Sequence, residues 1–450
     1  MVSTILGTAF GLLLIFLASG MYIAAALGLL GLSLDLLFDD RPLWKYTADM
    51  MWWPSTNFVL FAVPLYVLMG ELLLRSGLTD RLYQALAKWL SFLPGGLMHS
   101  NIAACSVFAA VSGSSVATAI TIGTVALPSF ERQGYNERLV LGSLAAGGTL
   151  GILIPPSIGL IIYALITDTS VGRLFIGGVV PGLSLAGMFM LFIGVSSILN
   201  PGIAPKEATS TWGERLNALP HLVPTGSLIL LVMGSIYFGF ATPTEAAALG
   251  VVGSLILAIL TRRVSRNMLL DGARATANTT GLVMLIVVFA QLFQFMVGSL
   301  GVPRAISEWL IQLGVPPMVS LLFIIIFYII LGMFMDALSM VITTLPVIFP
   351  VVVELFAQNP EVLAFDPVTF GVIVVLLMEA GLITPPVGVN LYVIQGIRTT
   401  KGPMIDVAIG VVPFFIMMMI LVGVLIAFPN MVLWLPDLAF GASVEGVRYG

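Results

Sequence analysis

Two stretches of this chain place hydroxyl and carbonyl oxygens where a cation could use them. The first is Val111-Ser112-Gly113-Ser114-Ser115, with Thr118 and Thr121 beyond it, inside a segment from 89 to 130 that carries no Asp, Glu, Lys or Arg. The second is Gly147-Gly148-Thr149-Leu150-Gly151-Ile152-Leu153-Ile154-Pro155-Pro156-Ser157, in the middle of the uncharged segment 139 to 167. Consecutive prolines remove two N–H donors and push the residue before them out of the helical region, which frees carbonyls near Gly151 to Ile154. In hydrocarbon a free carbonyl must be satisfied by protein, water or an ion. The second stretch returns as Glu379-Ala380-Gly381-Leu382-Ile383-Thr384-Pro385-Pro386-Val387-Gly388-Val389-Asn390. One such break reads as a kink, with Gly147 and Gly151 as a packing notch. Two at corresponding places point to paired ion sites.

The elements that hold these residues have the composition of a polytopic membrane protein. Charged residues make up 9% of the 450 and hydrophobic ones 59%, where a soluble domain carries roughly 25% charged. A net charge of -4 with no basic run argues against nucleic acid, and a single cysteine, Cys105, excludes an internal disulfide framework. Two histidines leave little for a transition-metal site.

A helix needs about 20 apolar residues to cross a bilayer. Uncharged segments of that order or longer run over 1–34, 50–70, 89–130, 139–167, 174–205, 216–244, 275–303, 309–335 and 407–436. Those at 246–261, 337–353 and 380–397 are short or broken, and some are expected to be re-entrant. The segment 89–130 is too long for one helix and short for two with a loop. A helical hairpin with its Ser-Gly turn near the midplane fits it. The start Met1-Val2-Ser3-Thr4 has no basic residue, so a retained first helix is expected rather than a cleaved signal peptide.

The chain also repeats itself. Glu71 aligns with Gln291 and Trp89 with Trp309 at an offset of 220, and Ile120-Thr121 and Pro128 align with Ile342-Thr343 and Pro350 at 222. Gly151, Pro155 and Pro156 meet Gly381, Pro385 and Pro386 at 230, and Val179-Val180-Pro181 meets Val411-Val412-Pro413 at 232. A slowly rising offset is what two copies with short insertions produce. Arg75, Arg81 and Lys88 follow the first span of copy one, whereas Arg262, Arg263, Arg266 and Arg274 precede its counterpart in copy two. By the positive-inside tendency the copies are inverted. Residues 78–92 and 303–313 are candidate interfacial helices, with Trp89 and Trp309 at headgroup level.

Acidic residues inside apolar spans are costly and therefore functional candidates. Asp336 falls opposite Ser114 in the repeat alignment, and burial at a second hairpin tip is expected. Glu379 precedes the second Pro pair. Glu71 and Glu245 stand nearer helix ends, where a solvated or capping role suffices, and His99 and His221 are expected to be interfacial or satisfied.

At these residues the sequence resembles the large membrane subunit of tripartite ATP-independent periplasmic (TRAP) transporters. The resemblance rests on Leu93-Pro94-Gly95-Gly96-Leu97 leading into the Ser-Gly-Ser-Ser tip, Gly134-Tyr135, Gly151 to Ser157, Pro243-Thr244-Glu245-Ala246-Ala247-Ala248, and Gly381 to Tyr392. Gly20-Met21-Tyr22-Ile23 lacks a proline often found there, so the first helices match less well. The resemblance implies an all-α inner-membrane protein of inverted repeats, with two re-entrant hairpins and two broken helices moving as an elevator inside a scaffold. It implies sodium-driven import of a small carboxylate. It also implies two partners, a small membrane subunit and a periplasmic substrate-binding protein. By motif, one sodium ion would use Ser112, Ser115, Gly151, Ile154 and Pro155. The other would use Gly381, Thr384 and Val387 with oxygens near Asp336. Ser114, Thr149, Ser157 and Asn390 would face the substrate. The matching division is 1–54 amino-terminal scaffold, 55–215 first repeat, 216–278 connecting scaffold, 279–430 second repeat and 431–450 tail.

Two other readings compete. A stand-alone sodium/dicarboxylate symporter would share the inverted-repeat design, and neighbouring genes for the two partners would separate it from the tripartite reading. An intramembrane hydrolase would need Ser114 or Ser115 beside His99, but no Gly-x-Ser-x-Gly elbow is present.

Overall fold

The computed structural model describes residues 2–38, 45–205, 210–312, 314–357 and 366–441. Expectations for Met1, Leu313 and the tail beyond 441 lie outside them. Among the described residues every regular element is helical. Seven helices among the described residues are long and apolar enough to cross a membrane, or eight if the bent pair Glu137–Leu153 and Ile158–Thr167 counts as one.

The same order of elements occurs twice. An apolar helix (Ala62–Arg75, later Arg266–Ser299) leads to a short amphipathic one (Leu78–Leu90, later Val302–Gln312). A helix–turn–helix hairpin follows, Leu97–Ser112 with Ser115–Gln133, later Pro317–Gly332 with Ala337–Ala357. Next comes a broken helix, Glu137–Leu153 with Ile158–Thr167, later Pro367–Leu382 with Val389–Ile397. A long helix closes each copy, Val171–Leu199 and Met404–Ala427. Hairpin helices of 16 residues reach only about 24 Å at 1.5 Å per residue, short of a hydrocarbon core of about 30 Å.

The copies are packed into one another rather than side by side. The second helix of each hairpin lies against the second half of the other copy's broken helix, Ser115–Gln133 on Val389–Ile397 and Ala337–Ala357 on Ile158–Thr167. Each long closing helix likewise packs on the first half of the other copy's broken helix. Reciprocal contacts of this kind are what a two-fold relation produces. Tyr163 pins one of them, donating to the Pro367 carbonyl at 2.7 Å and meeting the Phe349 ring edge-on at 6.1 Å.

A further layer is made by Ile23–Phe38, Ala62–Arg75, Trp212–Tyr237, Pro243–Leu260 and Arg266–Ser299: Ile23–Phe38 and Ala62–Arg75 pack on Arg266–Ser299, and Ala62–Arg75 and Trp212–Tyr237 on Pro243–Leu260. The segment 246–261, short on charge spacing, is an unbroken helix. It starts with Pro243 in its first turn and a capping box in which Thr242 and Glu245 bond each other's backbone N–H. Glu245 is therefore a cap. The Tyr66 hydroxyl donates to the Pro243 carbonyl at 2.9 Å and ties that start to Ala62–Arg75. The divisions expected at 215/216 and 278/279 fall inside Trp212–Tyr237 and Arg266–Ser299. These helices run on through the basic residues that end the uncharged segments.

Candidate functional site

Each hairpin turn is seated on the break of the broken helix in its own copy, and glycine makes the approach possible. A Cβ placed on Gly151 would lie 2.5 Å from the Ser114 carbonyl oxygen and 2.8 Å from the Ser115 Cα. One placed on Gly381 would lie 2.6 Å from the Gly332 Cα. No side chain fits at either point. At the first turn Gly113 adopts φ +60, a left-handed conformation that glycine takes without strain, and ends the helix Leu97–Ser112.

The repeat alignment of Ser114 with Asp336 has a concrete meaning. Each is the residue before the second helix of its hairpin, and each accepts from the backbone N–H three residues on: Ser114 Oγ from Ala117 at 3.4 Å, Asp336 Oδ2 from Ser339 at 3.1 Å. Asp336 is exposed, not buried as the apolar surroundings suggest. The turn around it opens outward, and the cap and exposure together accommodate the charge.

The fully buried acid is Glu379, 0% exposed, two residues before Gly381. Its Oε1 accepts the hydroxyl of Ser115, which is itself 1% exposed, and its Oε2 has no partner among the described residues. Asn390 is 0% exposed, with neither side-chain polar atom partnered among the described residues. Buried polar groups cost free energy unless paired, so orphaned oxygens beside the two breaks suit a cation. The donor set is carbonyls, hydroxyls, an amide and one carboxylate, with no group of three or more His, Cys, Asp or Glu among the described residues. That chemistry fits a hard monovalent ion and not a transition metal.

The two breaks differ in their surroundings. Gly151, Ile154, Pro155 and Ser157 are all buried, whereas Thr384 and Val387 are half-buried and Pro385 and Pro386 exposed. Both Pro-Pro bonds are cis. Within the first turn Ser112 Oγ is 2.8 Å from Thr118 Oγ1, and Thr118 donates to the Ser114 carbonyl at 2.8 Å. Thr384 donates to the Ala380 carbonyl at 2.7 Å, and the Gly388 N–H donates to the Met333 carbonyl at 3.0 Å, tying the second break to the second turn.

A cavity of about 140 Å³ opens at the first turn, lined by Ser112, Gly113 and Ser114 opposite Gly70, Glu71 and Thr279. Of the four residues expected to face substrate, Ser114 lines it. Thr149 donates to the Ala146 carbonyl at 2.6 Å and Ser157 accepts from the Leu160 N–H at 3.3 Å, so both hydroxyls serve their own helices. Thr279 and Gly70 were not singled out from the sequence; only their placement opposite the turn marks them. Glu71 is held by Arg75 at 3.0 Å. His99 does not meet the serines. Its Nε2 lies 2.7 Å from the Pro94 carbonyl, in the first turn of the helix that ends at Ser112 about 20 Å away. The pairing of His99 with Ser114 or Ser115 that a hydrolase would need is not assembled.

The family profile described as "Tripartite ATP-independent periplasmic transporter, DctM component" matches residues 10–431. The C4-dicarboxylate TRAP transporter large permease protein DctM of Rhodobacter capsulatus is 34% identical over 448 residues, covering 95% of this chain and 98% of that protein. The ectoine TRAP transporter large permease protein TeaC of Halomonas elongata is 33% identical, covering 85% of this chain and 87% of that one. The crystal structure of the Alcanivorax borkumensis YdaH transporter superposes with a TM-score of 0.65 at 14% identity, covering 93% of this chain and 99% of that one, a likeness of fold alone.

Proposed function

The chain belongs to the family of the DctM component of tripartite ATP-independent periplasmic transporters, and on that premise we propose that it imports a small organic acid by sodium symport. It is a transporter permease of the inner membrane, not an enzyme. In the proposed cycle a periplasmic binding protein delivers the acid, and a small membrane subunit completes the permease. The two hairpins and two broken helices then carry the site across as one body.

The observation that supports this most is the duplicated seating of a hairpin turn on a Pro-Pro break. Proline at 155 and 156 leaves the Gly151 and Ile152 carbonyls without their usual helical donors. Ser112 and Ser115 add hydroxyls beside them. Sodium there would use Ser112, Ser115, Gly151, Ile154 and Pro155, and a second ion Gly381, Thr384 and Val387 near the turn at Asp336. Among the described residues the cavity lining holds the Ser112, Ser114 and Thr279 hydroxyls and no basic side chain, and its one acid, Glu71, is paired with Arg75, so a carboxylate would be met by hydroxyls, turn N–H groups and helix amino-terminal dipoles. Bound sodium would balance its charge. An empty or half-loaded site would retain unbalanced charge in low dielectric and resist crossing.

The test is uptake by the complete complex in proteoliposomes. Uptake should require an inward sodium gradient and both partner proteins, and should proceed without ATP. Equal uptake with potassium in place of sodium would overturn the reading.

A further inference from the structure

The Glu379 carboxylate reaches one proposed ion site, and its backbone leads directly into the other. Through Oε1 it holds the Ser115 hydroxyl of the first hairpin, across 264 residues of chain. Two residues later the same helix presents Gly381, and the break that follows it presents Thr384. We propose that Glu379 is a positioning residue that couples the two cation sites, so that occupancy of one raises affinity at the other. This rests on reading Ser115, Gly381 and Thr384 as cation ligands.

Ser115 departs from the buried hydroxyls that bond back to their own helix. The buried Thr118, Thr167, Thr343 and Thr344 each donate to the carbonyl four residues earlier. Ser115 instead donates to a carboxylate of the other repeat. A hydroxyl has one proton and two lone pairs. With the proton committed to Glu379, both lone pairs of Ser115 are free for a cation. Both groups are buried away from competing water, so the bond holds the Ser115 rotamer in place.

The carboxylate has little freedom of its own. Glu379 is 0% exposed and its helix is clamped two residues on, where Gly381 and Gly332 touch backbone to backbone. On the other side, Ser115 is pressed against Gly151. A shift of Ser115 on ion binding therefore pulls on the Glu379 carboxylate, and through its helix on the Gly381 backbone two residues on. Coupling between two binding sites is reciprocal, and typically amounts to about 5- to 150-fold in affinity.

The experiment is a sodium titration of the purified transporter, read as thermal stabilisation or tryptophan fluorescence without any transport. The wild type should respond sigmoidally. In Glu379→Ala the response should lose its steepness and its midpoint should rise by about tenfold or more. Ser115→Ala should lose steepness too, and the double variant should be no worse than the poorer single one. Glu379→Gln keeps an acceptor for Ser115 but no charge, so it should stay sigmoidal with a raised midpoint. It also serves as the variant if the alanine does not fold. Wild-type steepness and midpoint in either Glu379 variant, or additive effects of Ser115→Ala and Glu379→Ala, would overturn the coupling. A wild type that ignores sodium would instead reject the ion sites themselves, and the coupling with them.

Discussion

The Ser115 hydroxyl and the Glu379 carboxylate form a hydrogen bond between the two copies of the repeat, at a point where neither residue reaches solvent. Ser115 opens the helix after the first hairpin turn, and Glu379 stands just before the second Pro-Pro break. The break in one copy and the turn in the other are thus joined by side chains as well as by helix packing.

Gly151→Ala and Gly381→Ala should impair uptake strongly and lower stability by about 1–3 kcal/mol, because each added methyl meets backbone that cannot yield. Gly187→Ala, in the middle of a long helix with nothing within 4 Å of the new atom, is the control. It should be neutral or stabilising by up to about 1 kcal/mol. Thermal unfolding and uptake of the three variants, side by side, check this.

Asp336→Ala should cost about 1 kcal/mol through loss of the cap on Ala337–Ala357, while Asp336→Asn should cost almost nothing, since asparagine offers the same acceptor. Glu71→Ala removes an i,i+4 ion pair worth about 0–1 kcal/mol. If oxygens near Asp336 serve the second ion, its alanine variant should weaken uptake more than the Glu71 one. Sodium dependence at matched expression decides, and equal sodium dependence in Asp336→Ala, Asp336→Asn and wild type removes Asp336 from coupling.

Arg398 caps the second broken helix with its side chain 3% exposed, bonded to Glu137 at 2.8 Å and to Asp406 at 3.4 Å. Arg138 meets Asp406 at 2.8 Å, and Thr400 also donates to Glu137. Arg398→Ala leaves two carboxylates without their shared cation. The loss should be about 2 kcal/mol, below a fully buried pair because Glu137 is 46% exposed. Arg398→Lys should recover less than half, lacking the planar fork that serves both acceptors. Unfolding temperatures measure both.

Cys105 is 0% exposed, so the wild type should not react with a water-soluble maleimide. Ser114→Cys should react, because position 114 lines the cavity at the first turn. Mass measurement after brief labelling of the folded protein reads this directly.

The parts of the site fixed by backbone chemistry were legible before any coordinates. Proline pairs and glycine turns declare themselves, and the Ser114–Asp336 correspondence was readable as an alignment because both positions start a helix after a turn. The burial of Asp336 was misjudged. Apolar neighbours along the chain do not say whether a turn faces protein or opens outward. Glu379 stood out as an acid in an apolar run, yet its partner could not be found, since a contact across 264 residues leaves no local pattern. The divisions between repeats and scaffold at 215/216 and 278/279 fall inside helices for a simpler reason. Charges mark where a span can leave hydrocarbon, while the helix itself continues into the polar layer on its own hydrogen bonds.

Because each hairpin leans on the half-helix of the other copy, neither half of the chain can finish its own core. As synthesis proceeds, the surface of Ser115–Gln133 meant for Val389–Ile397 must wait for some 260 residues to be made and inserted. At about 5–20 residues per second that is a delay of roughly 13–50 seconds. During it the first half is an unfinished intermediate, dependent on lipid or an insertion factor to shield it. Splitting the gene between the repeats should therefore give two fragments that survive only when made together.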